Sequence, residues 1–245
     1  HGGTLDPMAT GVLVIGIGKA TKLLTWVSGH SKEYRATIRF GVATNTDDAE
    51  GVATAAVGCA SLSEERLEAA LAPLRGDIMQ VPSTVSAIKV NGKRAYALAR
   101  AGEDVELAAR PVRISRLEVL EPPRSAECIL EGTDGDNAPD EQVPSGPVRV
   151  VDVDVVVECS SGTYVRALAR DAGEALGVGA HLTALRRTRV GDVPLETAMT
   201  LEELSAAVEA ATAEGEPDAE PVLPLVPLGE AARTMFPSLL MTEAE

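Results

Sequence analysis

The sequence opens with H-G-G-T-L-D-P-M-A-T-G over residues 1–11, and this stretch is the first guide to the fold. Asp6 lies between a Gly-Gly-Thr turn and Pro7, so its carboxylate is carried by a tight bend of the backbone. In one interpretation, Asp6 only caps a helix that begins at Pro7, where it accepts hydrogen bonds from free backbone amides. In the other, the bend holds Asp6 as a reactive group. The local sequence alone favours the first interpretation, so the choice depends on the rest of the chain.

Four more blocks of the chain share a common resemblance with this opening stretch. They are K-E-Y-R-A (32–36) leading into G-V-A-T-N-T-D-D-A-E-G (41–51), S-A-I-K-V-N-G-K-R-A-Y (86–96), C-S-S-G-T-Y-V-R (159–166) and H-L-T-A-L-R-R (181–187). In sequence and in order, the five stretches resemble the TruB family, the synthases that make pseudouridine in the T-loop of tRNA. The resemblance covers about residues 1–200.

The resemblance implies three catalytic residues. Asp6 corresponds to the catalytic nucleophile of the family. Arg166 corresponds to its cationic partner, and a planar guanidinium can both pair with a carboxylate and orient it. Tyr34 corresponds to the aromatic residue that stacks on the flipped base and takes the proton from C5. From the residues alone, Tyr34 could equally be an ordinary core side chain on the inner face of a strand.

Substrate-binding residues are expected in two groups. By resemblance, Leu185 packs against the target base and His1 helps to flip the uridine, although Leu185 could also be a plain core residue. The second group is basic: Arg186 and Arg187, with Arg189 beside them, form the densest cluster of cations, followed by the cluster around Lys89. We expect these cations to contact phosphate, although charge clusters are often only solvated surface.

The net charge of −15 is unexpected for a protein that would bind RNA, because phosphate contacts require Lys and Arg. The excess acid is concentrated in two segments. Residues 121–146 carry seven acids and one Arg, and residues 200–245 carry ten acids and one Arg. The remainder has 20 acids and 20 bases. The composition therefore excludes a generally basic binder and allows a local basic patch.

The low numbers of Cys and His bear on the cofactor and on the cellular compartment. Three Cys and three His are too few and too scattered for a disulfide framework or a metal site, so neither a metal nor another cofactor is expected. No apolar run is long enough to span a membrane, and a reducing cytoplasm is the natural compartment. The chain lacks an initiator Met and starts inside a motif, so further N-terminal residues are expected in the complete protein.

Hydrophobic periodicity predicts an α+β fold: a mixed, largely antiparallel twisted sheet flanked by helices. The resemblance adds a central RNA-binding cleft. The predicted strands are 11–18, 33–40, 112–120 and 148–157, the last of them central. The predicted helices are 19–26, 63–74 capped by Ser63, 95–101, 162–176 ending at Gly177, and 202–212; a hairpin turn is predicted at 90–93, and a short helix or loop running into a strand at 181–190.

Three segments follow from composition. Residues 1–212 are predicted to form the catalytic domain, interrupted at about 121–146 by an acidic insertion too polar to pack and expected to be disordered. Residues 213–227 are an acidic, Pro-rich linker. Residues 228–245 are expected to begin a C-terminal RNA-binding domain that is cut short.

The function expected from the resemblance is isomerisation of uridine 55 in the T-loop of tRNA. The enzyme is expected to be monomeric, to need no obligate protein partner and to make no membrane contact. One alternative is a tRNA-binding folding factor in which catalysis is secondary or lost. The other is a guide-RNA-dependent pseudouridine synthase, which the lack of basic tails disfavours.

Overall fold

The computed structural model of the protein describes residues 1–84, 89–90, 93–94, 107–130, 143, 145–213 and 225–237. The strands are β1 (Thr10–Gly11), β2 (Lys32–Phe40), β3 (Ala43–Thr44), β4 (Ala53–Ala55), β5 (Gly76–Gln80), β6 (Lys89–Val90), β7 (Lys93–Arg94), β8 (Arg110–Val119), β9 (Arg124–Leu130), β10 (Gly146–Cys159), β11 (Ala180–Val190) and β12 (Val193–Pro194). The α-helices are α1 (Leu24–Gly29), α2 (Glu64–Leu71), α3 (Val165–Leu176), α4 (Leu201–Ala213) and α5 (Leu228–Met235).

One mixed sheet organises the molecule, with the strand order β1-β11-β2-β10-β8-β5. The strands β9 and β12 extend it by pairing with β10 and β11. The pair β1–β11 is parallel, and the other pairs in this sheet are antiparallel. The predicted α+β class and the central position of the β10 strand are confirmed.

The core lies on one face of the sheet, under α2 and α3. Alternate residues of β2 point to this face, and Ala36, Ile38 and Phe40 are buried there as the sequence predicts. The other face carries charged side chains and a smaller apolar cluster around Val148 and Val150. Its side chains form ion pairs across the strands, such as Arg39 with Asp152 at 2.8 Å.

Local signals locate two helix ends correctly. The hydroxyl of Ser63 accepts a hydrogen bond from the backbone N–H of Arg66 at 3.3 Å, which caps the start of α2. At the end of α3, Gly177 adopts φ 71°, a left-handed conformation that glycine adopts with little strain. The start of α3 was misplaced: it begins at Val165, three residues after the predicted position.

The strand predicted over residues 11–18 is wrong. Pairing with β11 ends at Gly11, and Leu13, Ile15 and Ile17 are 43%, 60% and 56% exposed. An apolar run becomes a buried strand only where a neighbouring strand and a covering layer are available; after Gly11 this run has no further strand pairing, although Val12 packs against Val27 and Val190. Gly11 itself is required, because its φ is +100° and a Cβ there would lie 2.1 Å from the carbonyl oxygen of Arg187.

The short helix or loop predicted at the start of residues 181–190 is also wrong. These residues form β11, which pairs antiparallel with β2 along its whole length. The register shifts between Leu182 and Ala184, so Leu182 and Leu185 both reach the core although they are three residues apart. That bulge produces a spacing that resembles the period of a helix.

The acidic segment 121–146 is partly ordered, contrary to the prediction. Residues Arg124–Leu130 form β9 and pair with β10, and Cys128 packs beside Val148. The strand alternates, so Ala126, Cys128 and Leu130 pack against the neighbouring cluster while the residues between them, including Ile129, face solvent. Other predictions lie wholly or mostly outside the described residues: the helix 95–101, the rest of the acidic insertion, most of the linker 213–227 and the end of the segment 228–245.

Candidate active site

Asp6 lies on a short loop that is anchored at both ends. The N–H of Gly2 donates to the carbonyl of Val14 at 2.8 Å, and the N–H of Val12 donates to the carbonyl of Arg187 at 2.9 Å. Within the loop, the N–H of Ala9 donates to the carbonyl of Asp6 at 2.9 Å, which closes a β-turn. Pro7 therefore continues into a turn and not into a helix. The interpretation of Asp6 as a helix cap is wrong.

Arg166 grips the carboxylate of Asp6 with two parallel hydrogen bonds. Its Nε donates to Oδ2 at 2.9 Å and its Nη2 donates to Oδ1 at 3.2 Å. The side chain of Arg166 is 5% exposed, whereas that of Asp6 is 31% exposed. The guanidinium thus fixes the direction of a carboxylate that solvent, or a ligand, can still reach.

The other edge of Arg166 is held by a loop that follows β3. Its Nη1 donates to the carbonyl of Thr46 at 2.9 Å and lies 3.2 Å from Oδ2 of Asp48. Asp48 is itself buried, and its Oδ1 accepts hydrogen bonds from the hydroxyl of Thr46 and the N–H of Glu50. Arg166 is therefore immobilised between two carboxylates, only one of which is open to solvent.

Sequence reasoning missed the role of Asp48. The block 41–51 was part of the resemblance, but nothing in its local pattern says that Asp48 meets a residue 118 positions later. The neighbouring Asp47 has φ 60° and lies 3.4 Å from Arg170, one helical turn after Arg166. Burial raises the pKa of Asp47, and the hydrogen bond it accepts and Arg170 oppose that shift. Two consecutive acids thus pair with two arginines on one face of α3.

A pocket of about 590 Å³ opens in front of Asp6. This volume can hold a nucleoside. Tyr34, Leu185 and Arg187 line it beside Asp6 and Arg166, so the structure brings together five of the residues that the sequence predicted. The wall is completed by the segments 3–7 and 160–165 and by Ser28, Lys32, Thr46, Asp48 and Glu50.

Tyr34 is half-buried and lines this pocket. Burial raises the pKa of its phenol, the nearby Cys159 adds to that increase, and the guanidinium of Arg187 opposes it. Cys159 is buried too, and burial raises the pKa of its thiol to about 11. Both groups are therefore neutral near pH 7.

A sequence model described as the TruB family pseudouridylate synthase N-terminal domain matches residues 1–165. The chain belongs to the TruB family. A second model, the C-terminal domain of tRNA pseudouridylate synthase B, matches residues 166–228, although α3 and β11 in that range pack and pair with the sheet of the first.

Individual relatives in the TruB family are named tRNA pseudouridine synthase B. The protein of Mycobacteroides abscessus is 59% identical over 205 residues, which cover 84% of this chain and 62% of the relative. The protein of Arthrobacter sp. (strain FB24) is 51% identical over 247 residues, which cover all of this chain and 69% of the relative. The chain thus spans about two thirds of the length of these curated relatives.

Solved structures share the fold. The crystal structure of a Cbf5-Nop10-Gar1 complex matches with a TM-score of 0.54 and 25% identity, over 87% of this chain and 46% of that one. The structure of an H/ACA RNP bound to a substrate RNA containing 2′-deoxyuridine matches with a TM-score of 0.55 and 25% identity, over 89% and 47%.

The predicted contact of Arg187 with phosphate requires an exposed side chain. In this TruB-family chain Arg187 is buried. It is 1% exposed, and its guanidinium donates to the carbonyls of Val12, Thr4 and Gly3 at 2.7, 3.2 and 3.3 Å. The prediction that it grips phosphate at the surface is wrong. Arg187 instead supports the loop that carries Asp6, from the pocket face of the sheet.

Arg186 is exposed but lies on the opposite face. It pairs in register with Arg35, while Arg187 pairs with Tyr34, so the alternation of β11 separates the two arginines. Arg186 donates to the hydroxyl of Thr10 at 3.0 Å, at the edge of the sheet. Arg186 can contact RNA at this edge of the sheet but not inside the pocket. Its neighbour Arg189 is paired with Glu158 at 2.7 Å.

The remaining predicted residues are less informative. His1 is exposed at the start of the chain, and the side chain of Lys89 lies outside the described residues. Cys59, Cys128 and Cys159 are free thiols. Within the described part of the chain, no group of three or more His, Cys, Asp or Glu side chains is arranged to hold a metal ion. No helix there is long and apolar enough to cross a membrane.

Proposed function

We propose that this protein is a tRNA pseudouridine synthase that isomerises uridine 55 of the T-loop, with Asp6 as the nucleophile. One observation carries the proposal: the Asp6 carboxylate faces a pocket that can hold a nucleoside and is oriented by the two hydrogen bonds from Arg166. A fixed carboxylate at the mouth of a pocket is what an attack on a flipped nucleotide requires.

The reaction is an isomerisation, so it needs neither a redox partner nor a second substrate. The N1–C1′ bond of uridine breaks, the base turns, and a C5–C1′ bond forms. The proton that leaves C5 is balanced by the proton that N1 gains. Asp6 attacks the nucleotide, and Arg166 stabilises the negative charge that returns to the carboxylate when the product leaves. We expect the reaction to need no metal and no other cofactor.

The base is held between an aromatic and an aliphatic side chain. Tyr34 offers a ring to stack on, and Leu185 offers an apolar contact from the adjacent strand β11. Both are needed because a flipped base has lost its neighbours in the RNA stack, at a cost of a few kcal/mol.

We assign the removal of the C5 proton to Tyr34. The raised pKa of its phenol limits the fraction of Tyr34 that can act as the base. A neutral phenol accepts a proton only when it gives up its own. The phenolate at pH 7 is less than about 0.1% of the total at the ordinary pKa of tyrosine, and a raised pKa lowers that fraction further. The proton step should therefore become faster as the pH rises, up to the raised pKa.

Replacing Tyr34 with Phe keeps the ring but removes the hydroxyl. We expect the variant to bind tRNA within about threefold of wild type, to break the glycosidic bond and to stall before product release. Rapid-quench single-turnover assays between pH 6.5 and 9 measure this. The rise of the rate with pH should be present in wild type and absent in Tyr34→Phe. A wild-type rate for the variant would show that Tyr34 only stacks.

We choose tRNA, and not an RNA selected by a guide RNA, because of the identities with the relatives. Proteins named tRNA pseudouridine synthase B are 51–59% identical, whereas the Cbf5-containing structures are 25% identical. We therefore propose that the enzyme recognises tRNA directly, as a monomer in the cytoplasm and without an obligate protein partner. A folding-factor role, with Asp6 intact, would accompany catalysis and not replace it.

The proposal is tested with full-length protein and an unmodified tRNA transcript, followed by mass-spectrometric mapping of pseudouridine. We expect one modified position, uridine 55, with no added guide RNA or partner protein. A transcript with cytidine at position 55 is the matched control and should stay unmodified. Modification elsewhere would contradict the assigned position, and modification only on addition of a guide RNA would favour the guided alternative.

A further inference from the structure

Gln80 makes a reciprocal pair of hydrogen bonds with the backbone of a residue far away in sequence. Its Nε2 donates to the carbonyl of Tyr164 at 3.0 Å, and its Oε1 accepts from the N–H of Tyr164 at 2.9 Å. Gln80 is the last residue of β5 and is 1% exposed. An amide side chain that both donates and accepts thus substitutes for a neighbouring strand.

Tyr164 lies close to the residues of the candidate active site. It is the residue immediately before α3, two positions before Arg166, and it is one of the residues that line the pocket. The start of α3 has no side-chain cap of its own, and the first backbone bond of the helix, from Leu168 to Tyr164, is long at 3.4 Å. The position of the first turn of α3 therefore depends on the partner that fixes Tyr164.

The chain after Gln80 also contacts the second element that holds Arg166. The carbonyl of Val81 accepts a hydrogen bond from Arg170 at 2.8 Å, and the hydroxyl of Thr84 donates to the carbonyl of Asn45 at 3.3 Å. Asn45 directly precedes Thr46, whose carbonyl binds Arg166. The segment 80–84 thus joins α3 to the loop that contains Asp48.

We infer that Gln80 is a positioning residue for the proposed reaction: it fixes Tyr164, and so aims Arg166 at Asp6. This inference rests on the proposed function. Gln80 touches neither the pocket nor the reacting atoms, so it acts through the start of α3. Its chemistry is specific, because a residue that only accepts loses the bond to the carbonyl of Tyr164, and one that neither donates nor accepts loses both bonds.

Two substitutions separate the two hydrogen bonds. Gln80→Met keeps the size and removes both bonds, and we expect the single-turnover rate to fall at least about tenfold while the Kd for tRNA stays within about threefold. Gln80→Glu keeps the acceptor, and the introduced carboxyl regains a donor when it is protonated. Its rate relative to wild type should therefore recover as the pH is lowered from 8 to 5.5. This test of Gln80→Glu remains valid even if Gln80→Met does not fold.

A double-mutant cycle and a destabilised control distinguish positioning from general stability. If Gln80 acts through Arg166, Gln80→Met should change the rate less than about twofold in an Arg166→Lys background. Leu117→Val, a core substitution within β8, should lower Tm without changing the rate. Equal rate losses in both backgrounds, or no rate loss in Gln80→Met, would overturn the inference.

Hydrogen–deuterium exchange tests the same inference without any activity. Gln80→Met should speed amide exchange in residues 164–168 at least about tenfold, and Leu117→Val should not. If wild-type protein forms no pseudouridine but this local change is seen, the proposed function fails while the control of α3 by Gln80 stands. If exchange at 164–168 is unchanged, the inference is wrong whatever the activity.

Discussion

Asp6→Asn is expected to lower the rate of pseudouridine formation at least about 100-fold, equivalent to about 2.7 kcal/mol, and to leave the Kd for tRNA within several-fold. The amide keeps the shape of the side chain but is a poor nucleophile. The variant should fold, because Arg166 retains Asp48 and the carbonyl of Thr46 as partners and is not left as an unpaired buried charge. Single-turnover assays and filter binding measure the two quantities.

A matched control is available on the charged face of the sheet. Asp152 forms the same kind of two-bond pair with Arg39, both at 2.8 Å, away from the pocket. Asp152→Asn removes a paired carboxylate of similar geometry and should leave the rate within about twofold. Residual activity of Asp6→Asn above about one per cent of wild type would end the nucleophile assignment.

Arg166→Lys should reduce the rate at least about tenfold, roughly 1.4 kcal/mol, although the charge is conserved. A lysine ammonium cannot donate two parallel hydrogen bonds to Asp6 while also reaching Thr46 and Asp48. Asp6 would then rotate, so the loss should fall on the chemical step and not on binding. Single-turnover rates at saturating protein, compared with the Kd for tRNA, separate these two effects.

Arg39→Lys provides the control for this substitution, since it breaks an equivalent arginine fork outside the pocket. We expect its rate to match wild type within about twofold. If Arg166→Lys reacted as fast as Arg39→Lys, the fork on Asp6 would have no catalytic role, and the arrangement around Arg166 would serve folding alone.

The elements that the sequence predicted correctly depend on short-range contacts. Ser63 caps α2 through a residue three positions away, and Gly177 ends α3 because of its own backbone conformation. The family motifs likewise singled out Asp6, Tyr34 and Arg166; the structure places all three at one pocket, and their catalytic roles stay predictions. These signals are readable because each is contained in a few neighbouring residues.

The wrong predictions concern segments whose structure depends on a partner that is distant in sequence. Residues 11–18 look like a strand, but their regular pairing with β11 ends at Gly11. Residues 181–190 look like the start of a helix because the bulge in β11 changes the spacing of Leu182 and Leu185. Arg186 and Arg187 look equivalent in sequence, yet the alternation of β11 sends one to solvent and buries the other. The role of Asp48 depends on Arg166, and its own segment gives no sign of that contact.

The long sequence separation between Asp6 and its partners has a consequence for protein synthesis. Asp6 is bound by a residue 160 positions later, and the parallel strand that follows its loop pairs with Arg186 and Arg187 of β11. At 5–20 residues per second, a ribosome takes about 8–32 s to make the chain from the first partner to the second. During that interval the emerging chain already carries Asp6, but not the arginine that orients its carboxylate or the strand that anchors its loop. An unfinished chain should therefore be unable to modify RNA, and activity should begin only after β11 has left the ribosome.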